Sequence, residues 1–136
     1  MALQDALAAL QVIVNAVSGI RQAPEYPPDG IMVYPTAIAY ASSGGWTVLT
    51  KGGAKALHTL VLDVLFDPTH LPAAVKEAMR LSDALPKAIL ADPTLGGTVE
   101  TFGTVSYEFR PLPEWGEPPP LGWRLRLDNV KVLTAL

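Results

Sequence analysis

The chain contains no cysteine and little charge for its length. Without cysteine it can form no disulfide bond, no thiolate metal site and no cysteine nucleophile. Charged residues make up 17% of its 136 residues, below the roughly 25% that globular chains average. A monomer of this composition would have a surface short of charge. We therefore expect part of the apolar surface to lie in contacts between subunits.

Long apolar runs and basic clusters are also missing. No stretch reaches the roughly 18 consecutive apolar residues that a membrane helix needs. The N-terminus has Asp5 where a signal peptide would carry basic residues, so we expect a cytosolic protein. The formal net charge is −3, and the ten Lys and Arg residues are scattered. This argues against a protein that binds nucleic acid by neutralising its phosphates.

The length and the lack of internal repeats predict one domain over residues 1–136. Its first element is a predicted helix over residues 2–18, because apolar side chains recur there every three to four positions. Gly19 would end this helix. The opposite side also carries Val12 and Ile13, so either the core or another subunit would cover it.

Three strands are expected after a Pro-rich connection over residues 21–30. Residues 31–41 are β-branched, aromatic or small, and Pro35 indicates an edge strand or a bulge. Ser42–Gly45 is predicted to be a turn before a short strand over residues 46–50. After a second turn at residues 51–53, residues 56–66 are apolar on both faces, which predicts a central strand covered on each side.

A second helix is expected after Asp67-Pro68-Thr69-His70. Pro86 would remove its hydrogen bond to Ser82, so this helix should kink or restart near Asp83. Alternation then predicts strands over residues 99–110 and 123–133, joined by a long, stiff linker with five prolines at residues 111–122. The fold class is therefore α+β, with one mostly antiparallel or mixed sheet of about five strands packed with two helices, in the order α-β-β-β-α-β-β.

A glycine pair stands out between the second helix and the next strand, in Asp92-Pro93-Thr94-Leu95-Gly96-Gly97-Thr98-Val99. Glycines let backbone amides approach an anion closely. Phosphate loops, however, run from strand to helix and usually carry Lys after the last Gly. Here the helix comes first and no Lys follows. The motif is therefore interpreted as a helix stop and a turn that sets the register of the next strand.

No arrangement of polar residues predicts catalysis. The two histidines, His58 and His70, lack a zinc-site spacing, and His58 and Asp63 would point to opposite faces of one strand. None of the serines lies in a nucleophile elbow; they are Ser18, Ser42, Ser43, Ser82 and Ser106.

Two carboxylate pairs have an even spacing that would place both members on one strand face. Glu100 and Glu108 would be about 26 Å apart on an extended strand, too far for a glycosidase. Asp63 and Asp67 are closer, but they lie at a strand exit, where a solvated or capping Asp is the ordinary explanation. We therefore predict no catalytic, cofactor-binding or metal-binding residues, and no enzyme.

In its order of motifs, the chain resembles the tail terminator, or tail completion, proteins of long-tailed (siphovirus-type) bacteriophages. The likeness covers most of the length and is carried by short motifs of common residues in a characteristic order. After the N-terminal helix these are Ala23-Pro24-Glu25-Tyr26-Pro27-Pro28, a small-residue strand, a central apolar strand running into Asp67-Pro68-Thr69-His70-Leu71-Pro72, a helix, Leu95-Gly96-Gly97-Thr98-Val99, and a strand ending Ser106-Tyr107-Glu108-Phe109.

This resemblance implies a virion structural protein assembled in the host cytoplasm. Such subunits form a hexameric ring on the head-proximal end of the tail tube, stop its polymerisation and provide the surface that joins the head. The implied partners are further copies of the chain, the tail tube protein and a head-tail connector protein. DNA would only pass through the channel, no membrane is involved, and no enzyme activity or cofactor is implied.

Two other functions stay open. One is another head-tail connector or neck ring protein. The second is a small ligand-binding domain that uses Gly96, Gly97 and His58. If the sheet lines a channel, Glu100 and Glu108 would present negative charge to passing DNA, and reversing both charges should impair DNA passage.

Overall fold

The architecture was obtained as a computed structural model that describes residues 3–21, 23, 34–50, 52–67, 69, 71–116 and 119–135. The helices are α1 (Leu3–Asn15) and α2 (Leu71–Leu90), and the strands are β1 (Thr36–Thr50), β2 (Gly53–Phe66), β3 (Val105–Pro111) and β4 (Leu121–Ala135). Residues 24–28 of the Ala23–Pro28 motif, the predicted strand residues 31–33, and Lys51, Pro68 and His70 lie outside the described residues.

The predicted α+β class is confirmed. One sheet of four strands has the order β1-β2-β4-β3, and each neighbouring pair is antiparallel. Both helices pack on one side of it, which we call the helix face. There, the main core combines Leu10 and Val14 of α1 and Leu81 and Leu85 of α2 with alternate strand residues such as Leu62. The other side is called the open face.

The central position of β2 is also confirmed, because it lies between β1 and β4. Every residue from Leu60 to Phe66 is buried. Its even-numbered residues belong to the helix-face core, whereas Leu65 packs on the open face with Ile38 and Leu112. A continuous apolar run is therefore explained by two separate clusters, one on each side of the strand.

The predicted number of strands is too high, because β1 is one long strand. Ser42–Gly45 is not a turn, because Ser43, Gly44 and Gly45 pair with Thr59, His58 and Leu57 within one long strand. The only irregularity there is an extra residue at Ser42, a β-bulge. Gly44 has a different role: a Cβ atom at this position would lie 2.4 Å from Nδ1 of His58. Glycine thus marks a close packing contact, which composition alone cannot distinguish from a turn.

The expected effect of Pro35 is confirmed in one respect, since β1 is an edge strand. Its bulge lies at Ser42 rather than at Pro35, which precedes the strand and follows a cis peptide bond. α1 is shorter than predicted and ends at Asn15. On its outer side Val12 is 71% exposed.

The predicted restart of the second helix near Asp83 is wrong. α2 continues without interruption from Leu71 to Leu90, with Pro86 inside it. Proline still deprives the Ser82 carbonyl of its usual amide partner. Buried residues on both sides of the proline, Leu81, Leu85 and Ile89, keep the helix in register against the core. Tertiary packing thus outweighs the local cost of proline.

β3 begins at Val105 rather than at Val99. Residues 99–104 form separate contacts with β4 instead of a regular ladder, including hydrogen bonds between Thr101 and Lys131 and between Gly103 and Asp128. The cause lies in β4, where Asn129 has a φ of 55° and the pairing with β2 shifts between His58 and Leu60. A bulge in the partner strand therefore ends the predicted alternation early.

Candidate functional site

A buried carboxylate, Asp63, is the hub of the largest polar cluster on the open face. Its side chain is 0% exposed. Arg124 binds it through two bonds, Nε to Oδ1 at 2.7 Å and Nη2 to Oδ2 at 2.9 Å. Tyr40 donates its hydroxyl to Oδ2 at 3.1 Å, and Trp115 donates its indole N–H to the same atom at 2.8 Å. Arg124 also contacts Glu114 at 3.2 Å.

These side chains meet because of the strand register. Asp63 of β2 is directly opposite Arg124 of β4 and Ile38 of β1, so all three point to the open face. Trp115 and Glu114 arrive from the connection between β3 and β4. That connection folds back over the sheet, with a short 3-10 turn at Pro113–Trp115.

We call the segment Leu112–Gly116 the strap. Leu112 is fully buried against Ile38 and Leu65. It lies directly over Gly122, where a Cβ atom would be 2.1 Å from Cδ1 of Leu112. The strap, which is part of the linker predicted to be long and stiff, therefore packs on its own sheet. Trp115 packs there as well: its ring lies edge-on to that of Tyr40, with 6.2 Å between the ring centroids.

Electrostatics favour the neutral phenol of Tyr40 and the charged forms of Arg124 and Glu114. Burial raises the pKa of Tyr40 to about 12, and the neighbouring Asp63 adds to the shift, so the phenol stays a donor. The hydrogen bond to Asp63 raises the pKa of Arg124. The pKa of Glu114 is lowered, mainly by a hydrogen bond from its own backbone amide and, more weakly, by Arg124.

The cluster is suited to fastening rather than to proton transfer. Asp63 already accepts four hydrogen bonds, so its oxygens have no room for a substrate proton. Removing one member of such a buried pair leaves an uncompensated charge. We conclude that the cluster fixes the strap to the sheet. The sequence does not predict this cluster, because Asp63 and Arg124 are 61 positions apart and only the pairing register of β2 and β4 brings them together.

Asp63 is therefore neither solvated nor a cap, which corrects that interpretation. Its companion Asp67 does have a local capping contact, accepting hydrogen bonds from the amide of Thr69 at 2.9 Å and from its hydroxyl at 2.7 Å. The two carboxylates thus serve separate structural purposes.

His58 points to the helix face, away from Asp63 as predicted. It is buried between Gly44 and the ring of Trp46, whose centroid is 6.1 Å from that of the imidazole. Two of the serine hydroxyls donate to backbone carbonyls, Ser82 to Ala78 at 2.7 Å and Ser42 to Thr59 at 3.4 Å.

The backbone amides of the Gly96-Gly97 turn donate hydrogen bonds to side chains of the same segment. Gly96 donates to Oδ2 of Asp92 at 2.9 Å, and Gly97 donates to the hydroxyl of Thr94 at 3.2 Å. Both glycines have positive φ, 67° and 83°, which favours glycine at these positions. An anion would have to displace these contacts, so the geometry supports the turn interpretation. The turn does not set the register of β3, which begins several residues later.

Glu100 and Glu108 do not share a strand. Glu108 lies on the open face of β3 and forms an ion pair with Arg110 at 3.3 Å. Glu100 lies before β3, where its amide donates to the carbonyl of Lys131 at 2.8 Å. The predicted pair of carboxylates along one strand is therefore wrong, because β3 is too short to contain both.

A second region carries part of the exposed apolar surface of the monomer. We call it the ribbon end: Ser43–Leu49 of β1, Ala54–Leu57 of β2 and Lys131–Thr134 of β4, which project beyond the last residues that pair with β3. Trp46 is 62% exposed and Val48 is 72% exposed. Such a group of apolar side chains at one end of a sheet is typical of an interaction surface.

The described residues contain no group of three or more His, Asp or Glu side chains placed to hold a metal ion. Within the same part of the chain, no helix has the length and apolarity needed to cross a membrane. No model of a known protein family and no curated protein matches this chain.

Proposed function

We propose that the protein is a tail terminator subunit of a long-tailed bacteriophage, which forms a ring on the head-proximal end of the tail tube. In this role it ends tube polymerisation and provides the surface that joins the head. The order of sequence motifs described above is the basis of the proposal. The α+β fold with one antiparallel sheet and two helices is compatible with it.

One observation carries the assembly part of the proposal: the described residues of the monomer leave the ribbon end uncovered. Trp46 and Val48 are both more than half exposed, although the chain has few charged residues to keep a monomer soluble. The Asp63 carboxylate, by contrast, is buried and already accepts four hydrogen bonds. An assembly protein uses apolar surface for contacts with its neighbours, whereas an enzyme needs reactive groups in a cleft.

The experiment mixes the purified protein with the tail tube protein encoded with it while tubes polymerise. Negative-stain images should show a ring at one end of each tube, and mean tube length should fall as more protein is added. A Val48→Lys variant should lose this effect, because a lysine opposes burial of the ribbon end. Val12→Lys is the matched control, since Val12 is equally exposed but lies on α1.

Other outcomes identify the alternatives. Rings that never bind tubes but do bind a connector protein would indicate a neck ring protein instead. A stable monomer that leaves tube length unchanged would contradict both structural functions and return attention to a ligand-binding domain.

A further inference from the structure

The sheet has two different uncovered edges, and the ribbon end forms part of one of them. β1 lies at one edge and β3 at the other. Among the described residues, no backbone hydrogen bond joins the outer side of Ser43–Leu49, or the outer side of β3, to another element. Within the described part of the chain, both edges therefore present rows of unpaired amides and carbonyls.

In the part of the chain that the structure describes, the β1 edge lacks the features that normally prevent strand addition. Edge strands are usually protected by charges, prolines or a covering element. Ser43–Leu49 contains neither a charged residue nor a proline. Trp46 and Val48 project from it on the helix face, 62% and 72% exposed. This segment is suited to accept another strand.

Strand directions decide which strand can be added from another copy. All neighbouring strands are antiparallel, and there are four of them, so β1 and β3 run in opposite directions. When a second copy continues the sheet with the same face and orientation, its β3 therefore meets β1 in antiparallel fashion. Such a head-to-tail contact is heterologous, and it produces a ring when its rotation closes.

We infer that β3 of one copy pairs with the ribbon end of the next, with Tyr107 opposite Val48 and Glu108 opposite Thr47. The alternation of side chains supports this register. Tyr107 and Val48 both lie on the helix face, and Glu108 and Thr47 both lie on the open face. No side chain has to change sides for the two sheets to join.

The register brings complementary groups together on each face. On the open face, Thr47 is paired with Lys55 within its own copy, so Glu108 and Lys55 would lie in one row. They would be two strand spacings apart, roughly 10 Å, which is within the range of electrostatic attraction at moderate salt. On the helix face, Tyr107 of one copy would pack against Val48 of the next. Phe109 of the first copy would likewise pack against Trp46 of the next.

The apolar side chains supply enough surface for the contact to matter. Tyr107 is 56% exposed and Trp46 is 62% exposed. Aromatic side chains contribute roughly 150–250 Å² each when buried, and stable contacts bury about 800 Å² per partner. Trp46 and Val48 lie on one partner and Tyr107 on the other, so with the paired backbone they supply a share of that area on each side of the contact. In a ring, each copy makes this contact twice.

The contact also implies a shift between copies. Within one copy, Tyr107 lies in the same row across the sheet as Leu62 of β2. Val48 lies in the same row as Ala54, which is eight positions closer to the start of β2. The next copy is therefore displaced by roughly 26 Å along the strands. A constant shift with tilted strands is how curved sheets close. Closure into a ring rests on the proposed function; the strand pairing does not.

The absence of cysteine makes this junction directly testable. Val48→Cys and Tyr107→Cys should form a disulfide between copies, because the Cα atoms of directly opposite antiparallel residues are about 4.5–5.5 Å apart, within the separation that a disulfide spans. After copper–phenanthroline oxidation, the double variant should give a ladder of covalent oligomers on a non-reducing denaturing gel. An equal mixture of the two single variants should give dimers only. Each single variant alone should give none.

The matched control is a Val12→Cys, Tyr107→Cys double variant, which should not form the ladder. Dimers from Val48→Cys alone would show that β1 pairs with itself and would overturn the inference. An oligomer in sedimentation that forms no ladder, or a monomer, would overturn it as well. Tube capping is measured separately on reduced wild-type protein. Capping without a ladder therefore rejects only the junction, and a ladder without capping rejects only the proposed function.

Discussion

The two ends of the sheet differ in how their side chains are satisfied. At one end, the strap covers the sheet and Asp63 has four hydrogen-bond donors. At the other, the ribbon end has no cover within the described residues, and Trp46 and Val48 face solvent. The chain thus completes one end of its sheet internally and leaves the other to be completed by contact.

This difference indicates which changes should affect stability and which should affect assembly. Side chains at the covered end contribute to the free energy of unfolding of a single chain. Equivalent side chains at the ribbon end make few contacts inside the monomer, so their replacement should leave the monomer nearly as stable. Matched substitutions at the two ends test this separation.

Arg124→Met should have the largest effect. It leaves the Asp63 carboxylate buried without its ion partner, which should lower the free energy of unfolding by about 3–5 kcal/mol. Arg126→Met is the control, because Arg126 lies on the same face of β4 but is exposed; it should change stability by less than about 0.5 kcal/mol. Urea denaturation at one protein concentration measures both.

A second variant checks the cause. Adding Asp63→Leu to Arg124→Met removes the buried charge as well, and should recover much of the lost stability. Equal losses from Arg124→Met and Arg126→Met would mean that the buried cluster is unimportant.

Gly122→Ala should have a smaller effect. The new Cβ would lie 2.1 Å from Leu112 Cδ1, so the strap must shift, and overpacking of this kind costs roughly 2 kcal/mol. Gly45→Ala at the ribbon end is the matched change, since a Cβ there meets nothing within 4 Å. Thermal unfolding should separate the two variants by several degrees. Similar melting temperatures would contradict the strap packing.

Trp115→Phe should cost somewhat less, roughly 1.5 kcal/mol. It keeps an aromatic ring but removes the indole N–H that donates to Asp63. Trp46→Phe should hardly change the unfolding of the monomer, yet it should weaken assembly, measured by sedimentation. Should Trp46→Phe destabilise the monomer as much as Trp115→Phe, the two ends would not differ in the way described here.

The same contrast explains what could be predicted from the sequence. Periodicity was enough for α1, α2, β2 and β4, because one face of each is buried in a single core. It failed at Ser42–Gly45, where glycine makes room for His58 instead of forming a turn. It also could not pair Asp63 with Arg124, because the pairing depends on strand register and not on any local pattern.

For the exposed apolar surface, the sequence predicts that such surface exists but does not predict where it lies. A charge content of 17% indicates buried or shared apolar surface, but it does not say where. The location depends on where the helices pack, because β1 contributes residues to the helix-face core only up to Ala41, and Trp46 and Val48 lie beyond it. Such tertiary packing is not visible in residue composition.

The smallest expected effect is a loss of stability at high pH that belongs to the covered end alone. Because burial and Asp63 raise the pKa of Tyr40 from its ordinary value of 10.0 to about 12, the folded state favours the neutral phenol. This contribution is complete below pH 10 and is lost as the pH rises towards 12. Tyr40→Phe cannot ionise, so its urea midpoint should fall less steeply than that of the wild type across this window. Parallel curves for the two proteins would show that Tyr40 is not held by Asp63, and the covered end would then be less tightly closed than its hydrogen bonds indicate.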